Sequence, residues 1–157
     1  MIVFSNTTPL IALNGIGQLD LLPRLFTEIH LVGEVIEECA VGGIIRVPDL
    51  RALPWVKVVE STPVQYPTVL LELDKGEKHT LDMARKLNAD WVIIDEKIGR
   101  NMAEYLGLKV TGTLGVLLKA KQQNWIPSFR DAAAAMVRQG IRYNHGLVDK
   151  LARQVGE

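Results

Sequence analysis

Four of the side chains whose oxygen atoms suit a hard cation stand where a sheet edge could gather them, two of them where apolar strands end. The run Ile2-Val3-Phe4 leads into Ser5-Asn6, and the run Trp91-Val92-Ile93-Ile94 leads into Asp95-Glu96. In open parallel sheets, ligands bind beyond the carboxyl ends of the strands. Glu38, within Val35-Ile36-Glu37-Glu38, and Glu77 are two more acids, at helix positions able to face that edge. Acids gathered there without matching lysines repel each other unless a cation or protons neutralise them. Mg²⁺ takes oxygen ligands, commonly one or two carboxylates completed by water and phosphate. Such a cluster would orient a water for attack on a phosphodiester and stabilise the leaving oxygen.

Each of these residues also has a plainer reading. Glu77 stands three residues after Asp74, so it fits the reciprocal partner of a capping box. Glu38 fits a solvated helix face, and Asn6 fits a turn residue that caps the first helix. Asp95 is the hardest to set aside, because it follows four apolar strand residues directly. Arg100, one helical turn beyond the acids, suits either a phosphate contact or a salt bridge to Asp95 or Glu96. Thr111-Gly112-Thr113 suits a phosphate site at a helix N-terminus, or equally a tight turn at Gly112 with Thr113 as the cap. His30, His79 and His145 share no metal-ligand spacing, which speaks against zinc. Gly15-Ile16-Gly17 lacks a third glycine and follows a helix, so it is no dinucleotide fingerprint. The three tryptophans are too scattered for a base-stacking platform, and Cys39 beside Ala40 reads as a small buried residue.

The elements that must position these groups alternate along the chain. Thr8 and Pro9 suit a helix opening, as cap and first helical residue, and Leu10–Leu13 forms a short helix closed near Gly15. A brief helix is expected over Asp20–Leu25, a strand over Glu28–Leu31, and a helix over Glu34–Ala40 that stops at Gly42-Gly43. The stretch Ile44–Pro67 holds Pro48, Pro54, Pro63 and Pro67, and reads as an excursion with one edge strand at Val56–Val59. A helix follows the Asp74 cap and ends at Asn88. The Trp91–Ile94 strand has the look of one buried on both faces. Then come a helix over Ile98–Leu106 closed by Gly107, a strand over Leu108–Val110, and a helix over Leu114–Gln123. An alanine-rich helix runs from Ser128 to Gly140, and a last one lies near Gly146–Gln154. Buried strands alternating with helices predict a three-layer α/β/α domain around a central parallel sheet.

Length and composition agree. A chain of 157 residues is expected to form one domain, 1–157, with the helices from about residue 128 completing the core or an oligomer surface. One cysteine excludes a disulfide framework. The 18 basic and 18 acidic residues balance, so no basic footprint for nonspecific nucleic-acid binding is present. No apolar run nears the ~18 residues of a membrane span, and Met1–Leu10 lacks the basic n-region of a signal peptide. A cytoplasmic protein with no membrane partner is expected.

The local words and their order resemble the PIN domains, metal-dependent nucleases that often serve as toxins in toxin–antitoxin pairs. Asn6-Thr7-Thr8-Pro9-Leu10-Ile11 after the first strand carries the resemblance, with Val35-Ile36-Glu37-Glu38, Gly76-Glu77, and Val92-Ile93-Ile94-Asp95-Glu96. It continues through Gly99-Arg100, Ala103, Gly107-Leu108 and Val110–Leu117, to Ala120-Lys121. The whole spans about residues 2–125 and is similar to one uncharacterised PIN-like branch. The resemblance implies a parallel sheet of four to five strands, with the family's acids at Asn6, Glu38, Glu77 and Asp95. It implies Mg²⁺ or Mn²⁺ as cofactor, an RNA substrate, an antitoxin partner and a homodimer. Asn6 departs from the family, whose first acid is usually Asp. The lost charge weakens metal binding, and the hydroxyl of Thr7 or Thr8 would compensate in part by holding a water of the ion's shell.

Two readings follow from this. In one, the protein is a PIN-type endoribonuclease: Glu38, Glu77 and Asp95 serve as catalytic acids, these three with Asn6 as metal ligands, and Arg100 and Thr113 contact RNA. In the other, the protein is a catalytically weak or inactive PIN-like module that binds nucleic acid or protein, as Asn6 and the zero net charge favour. A phosphoacceptor domain built on Asp95 is a weaker third possibility, because the acids, Thr and Lys are in the wrong order for one.

Overall fold

The computed structural model describes residues 1–65, 68 and 70–157. Pro67, one of the prolines marking the excursion, lies outside the described residues. Five strands form one sheet: β1 (Val3–Ser5), β2 (Ile29–Val32), β3 (Val56–Val59), β4 (Trp91–Ile93) and β5 (Val110–Thr111). All neighbouring pairs are parallel, in the order β3-β2-β1-β4-β5. Among the described residues the α-helices are α1 (Thr7–Gly15), α2 (Leu21–Phe26), α3 (Gly33–Val41), α4 (Lys75–Lys86), α5 (Lys97–Tyr105), α6 (Thr113–Gln122), α7 (Phe129–Arg138) and α8 (His145–Gln154). The protein is therefore the α/β fold with a parallel sheet that the alternation of elements predicts, and its five strands fall within the four to five that the resemblance implies.

The strand order carries the functional consequence. From β1 the chain steps outward through β2 to β3, then returns to the other side of β1 for β4 and β5. Connections thus leave β1 and β4 in opposite directions, and the carboxyl ends of these neighbours flank the crevice where open α/β sheets bind ligands. Register fixes who stands there: Ser5 pairs with Ile93, and the Asn6 amide donates to the Ile93 carbonyl at 2.9 Å. Asn6 and Asp95 follow these two strand ends.

The core explains why the strands are short and almost wholly apolar. Val3, Phe4, Leu31, Val92 and Ile93 are sealed from solvent, with helices on both sides. Helices α1, α2, α6, α7 and α8 pack on one another, while α4 lies on β1 and β2 beside α3. The C-terminal helices belong to this packing: Phe129, Met136 and Ala152 are completely buried. Full burial of a side chain such as Phe129 stabilises by about 1.5–3 kcal/mol.

Several boundaries shift from the sequence reading. Helix α1 opens at Thr7 with Asn6 in the N-cap position, so Thr8 is not the cap and Pro9 is the third helical residue. Proline is tolerated there because the first four amides of a helix lack intrahelical acceptors in any case. Strand β5 begins two residues later than the Leu108–Val110 run, because its ladder is set by β4, with Val92 against Val110 and Ile93 against Thr111. Within the fourth strand run Trp91 is only half-buried, beneath the Lys119 ammonium at 5.2 Å from its ring centre. A 3-10 turn at Leu50–Ala52 inside the proline-rich excursion has no counterpart in that reading. Edge strand β3 and the stops at Asn88 (φ 53°) and Gly107 (φ 81°) stand where expected.

Candidate active site

The first half of the site is assembled from α1, α3 and α4. Asn6 leaves β1 with its side chain buried, 3% exposed, and its Oδ1 has no hydrogen-bond partner. Next to it the Thr7 hydroxyl donates to Glu38 Oε2 at 2.5 Å. The other oxygen of Glu38 accepts from the Gly76 amide at 2.9 Å, in the first turn of α4. One half-buried carboxylate thus ties two helix starts together, and a negative charge at a helix N-terminus is favourable. Glu38 is therefore not the solvated helix-face charge of the plainer reading. Thr7 donates its hydroxyl proton to Glu38, which leaves the oxygen lone pairs as acceptors for a water of an ion's shell.

Glu77 sits one residue further into α4. Asp74 Oδ1 accepts from the Glu77 amide at 2.8 Å, which is one half of a capping box. The Glu77 side chain does not make the reciprocal half, since no hydrogen bond from the Asp74 amide to it is formed. It is 2% exposed, its Oε2 has no hydrogen-bond partner, and that oxygen lies 2.9 Å from where a Cβ on Gly99 of α5 would stand. Burial first, then the adjacent Asp74 and Glu96 carboxyls, push the Glu77 pKa up to about 8. A buried carboxyl ringed by acids calls for a proton or a cation.

Asp95 organises the second half. Its Oδ1 accepts from the Thr113 amide at 2.7 Å and its Oδ2 from the Thr113 hydroxyl at 2.6 Å. Thr113 is thus the first residue of α6, with Gly112 in the cap position, and its hydroxyl serves Asp95 rather than the helix. This correction has a simple cause, since Asp95 supplies from outside the acceptor that a cap would give. Burial raises the Asp95 pKa against the opposing pull of Thr113 and of the Arg100 guanidinium. Arg100 leans over Gly112, its Nη1 3.2 Å from where a Cβ would be, and that Cβ would also meet Asp95 Oδ1 at 2.9 Å. Among the described residues Arg100 forms no ion pair within 4.0 Å, so the tether to Asp95 or Glu96 is not made.

Consecutive residues divide between the halves, with Glu96 beside Glu77 and Asp95 on Thr113. Sequence reasoning missed Asp74 and Glu96 as charged neighbours of Glu77, and Tyr143 beside Thr113 and Asp95. It also missed why Gly76, Gly99 and Gly112 are glycines: a carboxylate oxygen stands within 3 Å of each missing Cβ, with Ile94 Cδ1 closer still at Gly99. Gly76 beside Glu77 and Gly99 beside Arg100 were the available signal. The histidines stand apart: His30 against Phe4 with ring centres 5.4 Å apart, His79 3.6 Å from Glu34, and His145 exposed at the start of α8.

Among the described residues, no three His, Cys, Asp or Glu side chains converge tightly enough to form a metal cage of their own. The unpartnered buried oxygens of Asn6 and Glu77 nevertheless fit a hard divalent ion that keeps most of its water, as Mg²⁺ commonly does.

A parallel sheet with buried oxygen donors at its switch point defines an α/β protein with a candidate hydrolytic edge. The chain matches the family model DUF3368, described as a PIN domain, over residues 2–157, and it belongs to that PIN-domain family. Membership gives it a nuclease-type fold, in a family that generally uses divalent metals. No curated protein and no solved structure matches it significantly.

Proposed function

We propose that the protein is a Mg²⁺- or Mn²⁺-dependent endoribonuclease, acting as the toxin of a toxin–antitoxin pair. The observation that carries this reading is the pair of buried, unpartnered oxygens, Asn6 Oδ1 and Glu77 Oε2, at the carboxyl edge of the sheet. Asn6 and Glu77 would hold the ion, with Asp95 and Glu38 reached only through water of its shell; when bound it neutralises phosphate charge and raises the acidity of water. The chain's own contribution is positioning. Glu38 fixes Thr7 and Gly76, which flank Asn6 and Glu77 in sequence. Thr113 fixes Asp95, and Arg100 offers an unpaired guanidinium to a phosphate oxygen. In the net reaction water oxygen adds to phosphorus, the bond to the leaving ribose oxygen breaks, and that oxygen gains a proton.

The test incubates purified protein with a mixed structured RNA pool in Mg²⁺, Mn²⁺ or chelator, beside Asp95→Asn and Glu77→Gln. Metal-dependent cleavage lost in both variants supports the nuclease; cleavage unchanged in both excludes it. Growth arrest on induced expression, absent for Glu77→Gln, supports the toxin role. A homodimer belongs to the same reading by resemblance to the family, with Val137 and Leu147 of the C-terminal helices left 41% and 45% exposed. A one-chain mass at micromolar concentration counts against it. No described helix is long and apolar enough to cross a membrane.

A second reading is favoured by one observation, Asn6 in place of the family's usual Asp. On it the chain is a catalytically weak or inactive PIN-like module that binds RNA or a partner protein. Absence of cleavage in both metals, with binding retained, selects it.

A further inference from the structure

The tryptophans are scattered in sequence, yet two of them meet cations at one end of the fold. Trp91 opens β4, and Lys109 stands beside it in the register of β4 with β5. The Lys109 ammonium lies 5.9 Å from the centre of the Trp91 ring. Lys119, in the last turn of α6, brings its ammonium to 5.2 Å from the same ring and 5.5 Å from that of Phe26, which ends α2. Arg24 of α2 covers Trp125, with its guanidinium carbon 4.2 Å from the ring centre. Trp91 and Lys109 stand at the amino ends of their strands, whereas Asp95 follows the carboxyl end of β4. The cations are therefore gathered at the edge of the sheet opposite the candidate active site.

All three cations are exposed, and among the described residues none has a carboxylate within 4.0 Å. Asp90, next to Trp91 in sequence, is committed to the Ile2 amide at 2.7 Å. The last turns of α2 and α6 account for positive charge here, since cations oppose the carbonyl end of a helix. They do not account for rings, in place of acids, as the neighbours. A ring face attracts a cation but leaves most N–H donors of an ammonium or guanidinium turned to water, ready for a carboxylate. It also restrains the long side chain beforehand, so less freedom is lost when an anion binds. The chain as a whole is neutral, and acids such as Asp74, Glu77 and Glu96 at the other edge balance this excess.

We propose that this amino edge docks an acidic segment of a partner protein, whose carboxylates meet Lys109, Lys119 and Arg24. Charge complementarity selects an anionic occupant. Trp91 and Trp125 already carry cations, so they lack the bare platform on which a single strand stacks its bases, and protein carboxylates are favoured over a nucleic acid. The surface is independent of the nuclease reading, because a segment docked here leaves the Asp95 edge open.

The test titrates an acetylated, labelled octaglutamate peptide into the protein in chelator, following label anisotropy and tryptophan emission together. Native protein is expected to bind with a change in emission, and more weakly as salt is raised. Combining Lys109→Gln with Lys119→Gln should weaken binding at least about tenfold, as loss of charge-assisted hydrogen bonds does. Arg24→Gln should weaken it as well, and Lys119→Arg should stay close to native. Lys97→Gln, which removes an exposed charge at the start of α5 on the opposite edge, should change nothing. No binding by native protein, or an equal loss in Lys97→Gln, overturns the proposal. So does a single-stranded RNA of equal charge that binds as tightly with the same lysine dependence, since the patch is then a nucleic-acid tether. Melting curves show whether the double variant is folded; if it is not, undiminished affinity in Arg24→Gln overturns the surface by itself. Cleavage is not read, so failure of the nuclease reading leaves these outcomes unchanged.

Discussion

Glu38 and Gly76 compete for one volume: a Cβ on Gly76 would stand 2.5 Å from Glu38 Oε1 and 2.7 Å from Oε2. The carboxylate fills the space that glycine leaves, and it accepts the Gly76 amide there at 2.9 Å. Gly76→Ala must therefore expel Glu38 and break its bond to Thr7 as well. Loss of these charge-assisted bonds outweighs the roughly 1 kcal/mol that alanine gains in helix propensity. The expected net cost is about 1–2 kcal/mol, read from denaturant midpoints, with activity lost because the positions of Asn6 and Glu77 depend on the clasp. Gly43→Ala, where a Cβ meets nothing within 4 Å, should stay within about 0.5 kcal/mol of native. Equal midpoints for Gly76→Ala and Gly43→Ala would refute the clasp.

Thr113 offers a second test, since its hydroxyl and amide hold both oxygens of Asp95. Thr113→Val keeps the shape of a completely buried side chain and removes one hydrogen bond to a charged group. A loss of about 1.5–3 kcal/mol is expected, with Thr113→Ser close to native. A Val variant as stable as the Ser variant would show that the hydroxyl contributes nothing.

Much of this arrangement was legible in the sequence where the cause is local. Asp95 follows an apolar run whose residues 92–94 are sealed on both faces, so its place at the sheet edge follows from strand chemistry alone. The Asp74 cap was visible at its three-residue spacing. The partners of Glu38 were not, because Thr7 and Gly76 lie 31 and 38 residues away and meet it only after β1 and β2 have paired. Thr113 looked like a cap because a hydroxyl beside Gly112 is one locally. Only the long-range approach of Asp95 gives that hydroxyl another acceptor. Tyr143 joins the site through packing of α7 and α8 against α6, which leaves no local pattern.

Glu77 makes stability depend on pH. Its carboxyl is raised from 4.5 to about 8, first by burial and then by Asp74 and Glu96. The folded protein thus keeps a proton that the unfolded chain has released. Native stability is highest below pH 4.5 as far as this group is concerned, and falls as pH rises through about 8. Asp95, also raised by burial, adds a slope of the same sign. In chelator, the melting temperature should drop between pH 5.5 and 8, and Glu77→Gln should flatten that drop. Mn²⁺ at pH 8 should recover the loss in native protein and not in Glu77→Gln. An identical pH slope in the variant would remove Glu77 as the source.

Asn6 decides between the nuclease and the binding module. Its buried Oδ1 lacks a partner, and an unsatisfied buried acceptor costs about 1–3 kcal/mol unless a ligand completes it. If that ligand is a divalent ion, Asn6→Asp adds a full charge to a donor already in place. Metal affinity should then rise by at least about tenfold, the factor that 1.4 kcal/mol provides, and cleavage at limiting Mn²⁺ should rise with it. Without metal the same change buries an unpaired charge, so the variant should melt below native protein in chelator. Metal titration calorimetry and melting curves on the two proteins read both effects. Lower stability in chelator together with tighter Mn²⁺ binding identifies Oδ1 as a ligand atom. Lower stability with Mn²⁺ affinity unchanged means that the ion does not reach Asn6, and the case then passes to the module that binds RNA or protein without cutting.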